Sequence, residues 1–279
     1  LGGSHMFLVT GATGNVGSEV VTALKEAGEP VRALVRRPDA VLPDGVEAAV
    51  GDLNDPAGLG DALKGVEGVF LLPGYEDMPG MLARAREAGV RRIVLLSGGS
   101  AALENLDNAV SRYMTLAERA VRASGLDWTF LRPRAFMTNA LRWLPQLRAG
   151  DTVRAQFPDV AAACVDPADI AAVAVRALKG GHEGTVRELT GPVAMRPAEQ
   201  VAVLAEVLGR ELRFVGLTGK ETRAELEASL PPAYVEAFWD FYAGGTLDEA
   251  TVHPDVSEIT GRPARTFADW AAAHADAFR

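Results

Sequence analysis

The chain has 279 residues, with 28 Lys plus Arg against 37 Asp plus Glu for a net charge of -9, and 48% of it is hydrophobic. That balance supports a full core and excludes a disordered chain; an acidic chain whose longest basic runs are Arg36-Arg37 and Arg91-Arg92 is no nucleic-acid binder. The lone Cys164 excludes a disulfide framework or a thiolate zinc site, and no apolar run reaches the ~18 residues that span a membrane.

Leu1 to His5, followed by Met6, reads as the scar of an expression tag and stands apart from the fold. Phe7 to Val9 predicts a buried strand, Val16 to Ala27 a helix and Val31 to Val35 a second strand. Strands follow at Val46 to Val50, Gly68 to Leu72, Arg92 to Leu96 and Trp128 to Leu131, with helices at Pro56 to Leu63, Met78 to Ala88 and Ala109 to Ala123. Near-continuous apolar strands imply that both sheet faces are covered, so the fold class is α/β, a doubly wound parallel sheet. Beyond Pro133 the pattern predicts helices at Phe136 to Arg148, Pro167 to Leu178, Pro197 to Leu208, Glu221 to Leu230, Ala233 to Tyr242 and Phe267 to Ala277. A strand near Val153 and another running into Cys164 complete the reading. Residues 6–135 form a dinucleotide-binding Rossmann-type domain, and residues 136–279 a smaller, mostly helical, interleaved lobe that closes a substrate crevice over the strand ends.

Thr10-Gly11-Ala12-Thr13-Gly14-Asn15-Val16-Gly17 follows the first strand and opens the first helix. Gly11 and Gly14 allow a tight turn and close approach to a pyrophosphate, Gly17 lets helix and strand pack closely, and the helix start offers amide donors from Thr13 to Val16. An acid ~20 residues on would hold the ribose of NAD; Arg36 and Arg37 stand there instead, and a planar guanidinium suits a 2′-phosphate, so the cofactor is NADPH or NADP. Asp52 and Leu53 at the third strand's end suit the adenine, with Asn54 or Asp55 capping the helix at Pro56. Leu72 and Pro73, after the fourth strand, come beside the pyrophosphate and nicotinamide ribose by topology, as do Ser97 and Pro133 after the fifth and sixth.

These residues resemble the NmrA-like group of atypical short-chain dehydrogenases/reductases, which includes quinone and triphenylmethane reductases. The resemblance rests on Val9 to Gly17, Gly51-Asp52-Leu53, Glu118 through Leu131-Arg132-Pro133 and Phe136-Met137-x-Asn139, Val165-Asp166-x-x-Asp169-Ile170-Ala171 and Leu189-Thr190-Gly191-Pro192, and it covers residues 6 to about 215. It implies a reductase, or a redox-sensing regulator without activity that acts through partner binding. Tyrosine-dependent relatives carry a Tyr-x-x-x-Lys pair on the helix before the sixth strand; here those positions are Met114 and Glu118, and neither donates a proton in that role. Tyr113 is offset by roughly 100° around the helix and reads as a packing aromatic. Ser97 or Ser100 is left to orient a substrate carbonyl, and the proton comes from water or from the substrate.

The expected activity is therefore reduction, by NADPH, of a ketone or quinone on a small aromatic substrate held by Phe136, Met137, Trp143, Phe157 and Trp239. An Ala/Arg/Gly/Val-rich style resembling high-GC actinobacterial proteins suggests an aromatic polyketide ketoreductase of antibiotic biosynthesis. His182, His253 and His274 lie too far apart in sequence for a metal site, Asp166 and Asp169 read as a helix cap, and Gly216 to Glu221 fails as a phosphate loop because Lys220 is not followed by Ser or Thr. A cytoplasmic monomer or homodimer is expected, with neither nucleic acid nor membrane as partner.

Overall fold

The computed structural model describes residues 5–279; Leu1 to Ser4 of the tag-like segment lie outside the described residues. In chain order the elements begin β1 (Met6–Val9), α1 (Gly17–Glu26), β2 (Val31–Val35), β3 (Glu47–Val50), α2 (Gly60–Leu63), β4 (Val66–Leu71), α3 (Met78–Glu87), β5 (Arg92–Leu96), α4 (Ala109–Ala123) and β6 (Asp127–Pro133). They continue α5 (Leu144–Ala149), β7 (Thr152–Ala155), α6 (Pro167–Lys179), β8 (Thr185–Leu189), α7 (Pro197–Leu208), β9 (Arg213–Gly216), α8 (Gly219–Ser229), α9 (Pro232–Tyr242), α10 (Asp255–Thr260) and α11 (Phe267–Ala273).

Seven strands form a parallel sheet in the order β3-β2-β1-β4-β5-β6-β8. Successive residues of a strand feed opposite cores, as a pleat demands. Phe7 and Val9 pack with Val20, Leu24, Ile170 and Leu178 on the α1 and α6 side. Leu8, Ile93 and Leu95 pack with Met81, Leu82 and Val121 on the α3 and α4 side. Covering both faces leaves no reason for polar residues to alternate along the strands, which is why they read as apolar runs. A third core, built on Trp143, Leu147, Val153, Leu204 and Trp270, holds the helical C-terminal lobe.

Local chemistry sets the helix ends. Asn108 caps α4 by accepting from the Val110 and Ser111 amides at 3.1 Å. Asp166 accepts from the Ala168 amide at 2.8 Å at the start of α6, while Asp169, fully buried, holds the Arg265 amide at 2.7 Å and the Arg262 guanidinium at 2.7 Å. The stretch that only superficially suggested a phosphate loop is a capping box of Thr218 and Glu221 opening α8. Among the described residues no helix is long and apolar enough to cross a membrane.

Several elements differ from the sequence pattern. The helix expected from Phe136 to Arg148 is a 3₁₀ segment, Met137–Trp143, followed by α5; Pro145 has no N–H to continue an α-helical ladder from the preceding turn. The last helix breaks at His274, whose amide is shared between the Trp270 and Ala271 carbonyls, and resumes as a 3₁₀ turn. No strand runs into Cys164: the segment makes two isolated bridges, Phe136 with Val165 and Ala162 with Met195, because its neighbours on the two sides are different stretches of chain. Neither Asn54 nor Asp55 caps the turn at Pro56, since the Asn54 side chain instead accepts from the Glu76 amide at 3.3 Å. The strands β8 and β9 and the short α10 had no signal of their own. β8, Thr-Val-Arg-Glu-Leu, is a half-exposed edge strand whose charged residues break any apolar run.

Candidate active site

Thr10 is fully buried at the end of β1. Its hydroxyl donates to the Phe70 carbonyl at 2.9 Å and accepts from the Leu72 amide at 2.9 Å, tying β1 to β4 where the strand order reverses. A cleft of 720 Å³ opens at this switch point, the place where open α/β sheets bind ligands. Gly11 has φ +58°, and a Cβ there would run into Leu72; a Cβ on Gly17 would run into the Gly11 carbonyl oxygen. The α1 start carries no side-chain cap; the Gly14, Ser18 and Val20 amides bond to the Gly11, Gly14 and Val16 carbonyls, and the turn's other amides remain for an anion.

The structure brings Gly11, Thr13, Gly14, Arg36, Arg37, Asp52, Leu53 and Leu72 to this one cleft. Arg37 stands 3.8 Å from Asp39, whereas Arg36 makes no ion pair among the described residues. One Asp52 oxygen accepts from the Asn54 amide at 2.8 Å. Asn15 is exposed beside the cleft, while Val16, Gly17 and Pro133 are buried beneath it or at the end of β6. Glycines that admit a close backbone approach, an uncapped helix start and a free guanidinium fit a pyrophosphate with a 2′-phosphate. Tyr75, absent from the sequence reading, also lines the cleft. Burial, with Tyr113 beside it, pushes its hydroxyl up to about 12, so it remains a proton-bearing donor at neutral pH.

Met114 and Glu118, expected from the sequence at the Tyr-x-x-x-Lys positions, serve packing and ion pairing. Met114 packs toward Gly98. Glu118, 2% exposed, accepts from the Ser97 hydroxyl at 2.7 Å and from Nε and Nη2 of Arg132, both at 2.8 Å. This corrects the role expected of Ser97: its hydroxyl is directed to Glu118, because a buried carboxylate needs every donor within reach. Ser100 is likewise buried, and its carbonyl accepts from the Ser111 hydroxyl at 3.0 Å. Tyr113 donates to the Pro73 carbonyl at 2.9 Å, and its ring covers Gly74, where a Cβ would collide with it. Tyr113→Phe is therefore expected to lower stability by about 0.5–1.5 kcal/mol and to leave turnover within twofold of the parent. A hundredfold loss of rate, ~2.7 kcal/mol of barrier, would instead put Tyr113 in the chemistry.

A second cavity, of 620 Å³, lies between the chain that leaves β6 and the helices α8 and α9. Phe136, Trp143 and Phe157 line it, as do Phe238 and Tyr242. Met137 does not: it is 2% exposed and turned into the lobe's core. Trp239 lies outside the lining too, with the Arg223 guanidinium over its ring at 5.3 Å, because α9 presents Phe238 and Tyr242 to the cavity and rotates Trp239 away. Polar groups converge among the rings: Arg142, Arg154, Cys164 and Glu249. Glu249 had no signal in its exposed-looking Leu-Asp-Glu-Ala stretch. Only the fold carries it to Ala135, whose amide donates to it at 3.0 Å.

A family model described as NAD(P)H-binding matches residues 11–180. The chain is 48% identical to a (4-alkanoyl-5-oxo-2,5-dihydrofuran-3-yl)methyl phosphate reductase of Streptomyces griseus, over 98% of this chain and 99% of that protein. It is 38% identical to an NAD(P)H azoreductase of Xenophilus azovorans, with the same coverage of both chains. An NADPH-dependent quinone oxidoreductase of Escherichia coli, solved with NADPH, superposes with a TM-score of 0.79 at 27% identity, over 96% of this chain and 99% of that chain.

Proposed function

The chain belongs to the NAD(P)H-binding family of NmrA-like atypical short-chain reductases, and from that premise we propose that it uses NADPH to reduce a conjugated, electron-poor carbonyl acceptor. When bound, NADPH supplies the hydride. What supports the reading is that Met114 and Glu118, at the positions where the sequence pattern would put a Tyr-x-x-x-Lys pair, offer no proton donor, while the cofactor cleft keeps its glycines and Arg36. A simple ketone becomes a strongly basic alkoxide on hydride addition and needs an acid poised beside it. A conjugated acceptor becomes a delocalised enolate or phenolate, a weak base that a modest acid protonates and that water or a phenol of the substrate protonates more slowly. The lost pair is then no handicap.

A quinone of an aromatic polyketide and an acyl-furanone phosphate belong to that class, and a hydroxyaryl ketone reaches a phenolate once its own phenol has protonated the alkoxide. Similarity over nearly the whole chain to the furanone phosphate reductase favours the second, and so do Arg142 and Arg154 in the cavity wall, Arg154 being paired with Glu221 at 3.1 Å, since guanidinium groups suit a phosphate ester. The test is loss of NADPH absorbance against a panel of quinones, hydroxyaryl ketones and the acyl-furanone phosphate. Turnover fastest with the phosphate is expected. Tight NADPH binding without turnover on any of them would leave the cofactor-sensing regulator.

Arg36 carries the choice of cofactor. Arg36→Ala is expected to weaken NADPH roughly 10- to 100-fold, the worth of one or two charge-assisted hydrogen bonds, and to leave NADH affinity unchanged. Equal losses for both cofactors, measured by titration, would remove the assignment.

A further inference from the structure

We propose that Glu249, in its neutral form, is the acid that hands a solvent proton to the reduced acceptor. The assignment rests on the reading of the cavity given above and names the group on the chain that reading leaves open.

Glu249 is 7% exposed, and what remains accessible lines the 620 Å³ cavity. One carboxyl oxygen accepts from the Ala135 amide at 3.0 Å, and the other lies 3.4 Å from the Tyr242 hydroxyl, which also lines the cavity. Ala135 lies two residues beyond β6, on the same strand-end side of the parallel sheet as the glycine turn after β1 and Leu72 after β4. Burial raises it above the ordinary carboxylate range, aided by Asp248 and opposed by the Ala135 amide, Arg134 and Tyr242.

The other titratable groups of the wall suit the task less. Burial pushes the Cys164 thiol up to about 11 and moves the Tyr242 hydroxyl above its ordinary value. The Arg142 guanidinium donates to the Asn139 carbonyl and that of Arg154 pairs with Glu221. Glu225 is exposed and held by the Gln156 amide at 3.0 Å. A delocalised enolate or phenolate needs only a modest acid, and a buried carboxyl raised above its ordinary range provides one.

The step balances. Hydride adds with its electron pair to the electrophilic carbon, and the displaced π electrons go to the carbonyl oxygen. The resulting anion takes the proton as the Glu249 O–H bond breaks, and a proton from water restores the carboxyl. Overall the acceptor gains two electrons and two hydrogens, one from NADPH and one from solvent.

The test uses the whole chain and E249Q, whose amide oxygen can still accept from Ala135. With a quinone and with the acyl-furanone phosphate, E249Q is expected to lower kcat by about 100-fold, the low end of general acid catalysis, with NADPH affinity unchanged. Parent kcat should fall as pH rises through the carboxyl's titration, and E249Q should lose that limb. In cofactor-free protein, a 13C-carboxyl resonance titrating above the ordinary carboxylate range should be present in the parent and missing in E249Q. Should E249Q fold poorly, Tyr242→Phe keeps the carboxyl but removes a donor that favours its charged form, so the fall in kcat should move to higher pH. An E249Q protein with parental kcat and pH profile, a carboxyl titrating in the ordinary range, or a Tyr242→Phe profile unmoved or shifted to lower pH would overturn the assignment. A parent protein inactive on every acceptor would overturn the functional reading and this one with it, whereas an active parent beside an unchanged E249Q overturns the proton assignment alone.

Discussion

Replacing Glu118 by alanine is expected to lower folding stability by about 3–5 kcal/mol, the loss typical of removing one partner of a buried ion pair. Two donors from the Arg132 guanidinium and one from the Ser97 hydroxyl converge on this carboxylate in a place 2% exposed to solvent. Alanine leaves all three facing an apolar hole. Glu188, 3.6 Å from Arg132, recovers part of the charge interaction but cannot reach Ser97. Glu118→Gln keeps the shape and one acceptor and should fall between parent and alanine variant. Glu118→Leu combined with Arg132→Met removes both charges together and should be much milder than Glu118→Ala alone, since matched apolar replacement of a buried pair is often neutral or stabilising. Denaturant midpoints at constant slope read all of these. An unchanged midpoint for Glu118→Ala would mean the pair contributes nothing. NADPH affinity should change little in any variant that remains folded, because Glu118 is buried against Ser97 and Arg132 and does not line the cofactor cleft.

The second large effect concerns the glycine turn. Gly17→Val should weaken NADPH binding by at least about 100-fold, ~2.7 kcal/mol. The added Cβ would overlap the Gly11 carbonyl oxygen and approach the Ala12 Cα, and backbone atoms cannot rotate aside as a side chain does. The turn must open, which moves the amides of the α1 start away from the pyrophosphate they are placed to hold. Gly28→Ala is the control. That glycine has φ +74° with nothing within 4 Å of an added Cβ, so the variant bears only left-handed backbone strain, about 1 kcal/mol. NADPH affinity should be untouched in Gly28→Ala. Calorimetric titration of both variants distinguishes a blocked turn from a general loss of stability, and equal affinities for the two would remove the packing argument.

These two sites differ in how much of them was legible beforehand. Gly11, Gly14, Gly17 and Arg36 belong to a strand, its turn, the following helix and the next strand, within 26 residues of one another. Their chemistry follows from local backbone requirements, so their order along the chain is close to a map of the cleft. The alternating apolar segments fixed the parallel sheet in the same way, because burial of both faces is written into each strand separately. Among the exceptions were β8, whose Arg187 and Glu188 hide it, and the helix expected from Phe136, where one proline outweighed the apolar periodicity.

The sequence by itself determined the doubly wound architecture, the place of the cofactor turn, the guanidinium beside it and the absence of a Tyr-x-x-x-Lys pair. Tertiary structure alone decided what Met114 and Glu118 contact and what lines the second cavity. Ser97 and Glu118 are 21 residues apart, and Ala135 and Glu249 are 114 apart. The physical reason is range: propensities, caps and glycine turns act between near neighbours, whereas a buried carboxylate is defined by whichever donors the packed fold brings to it. Trp239 and Phe238 make the same point, for adjacent aromatics on α9 differ only in the face they occupy, and the packing of α8 and α9 sends one ring to the cavity and the other to Arg223.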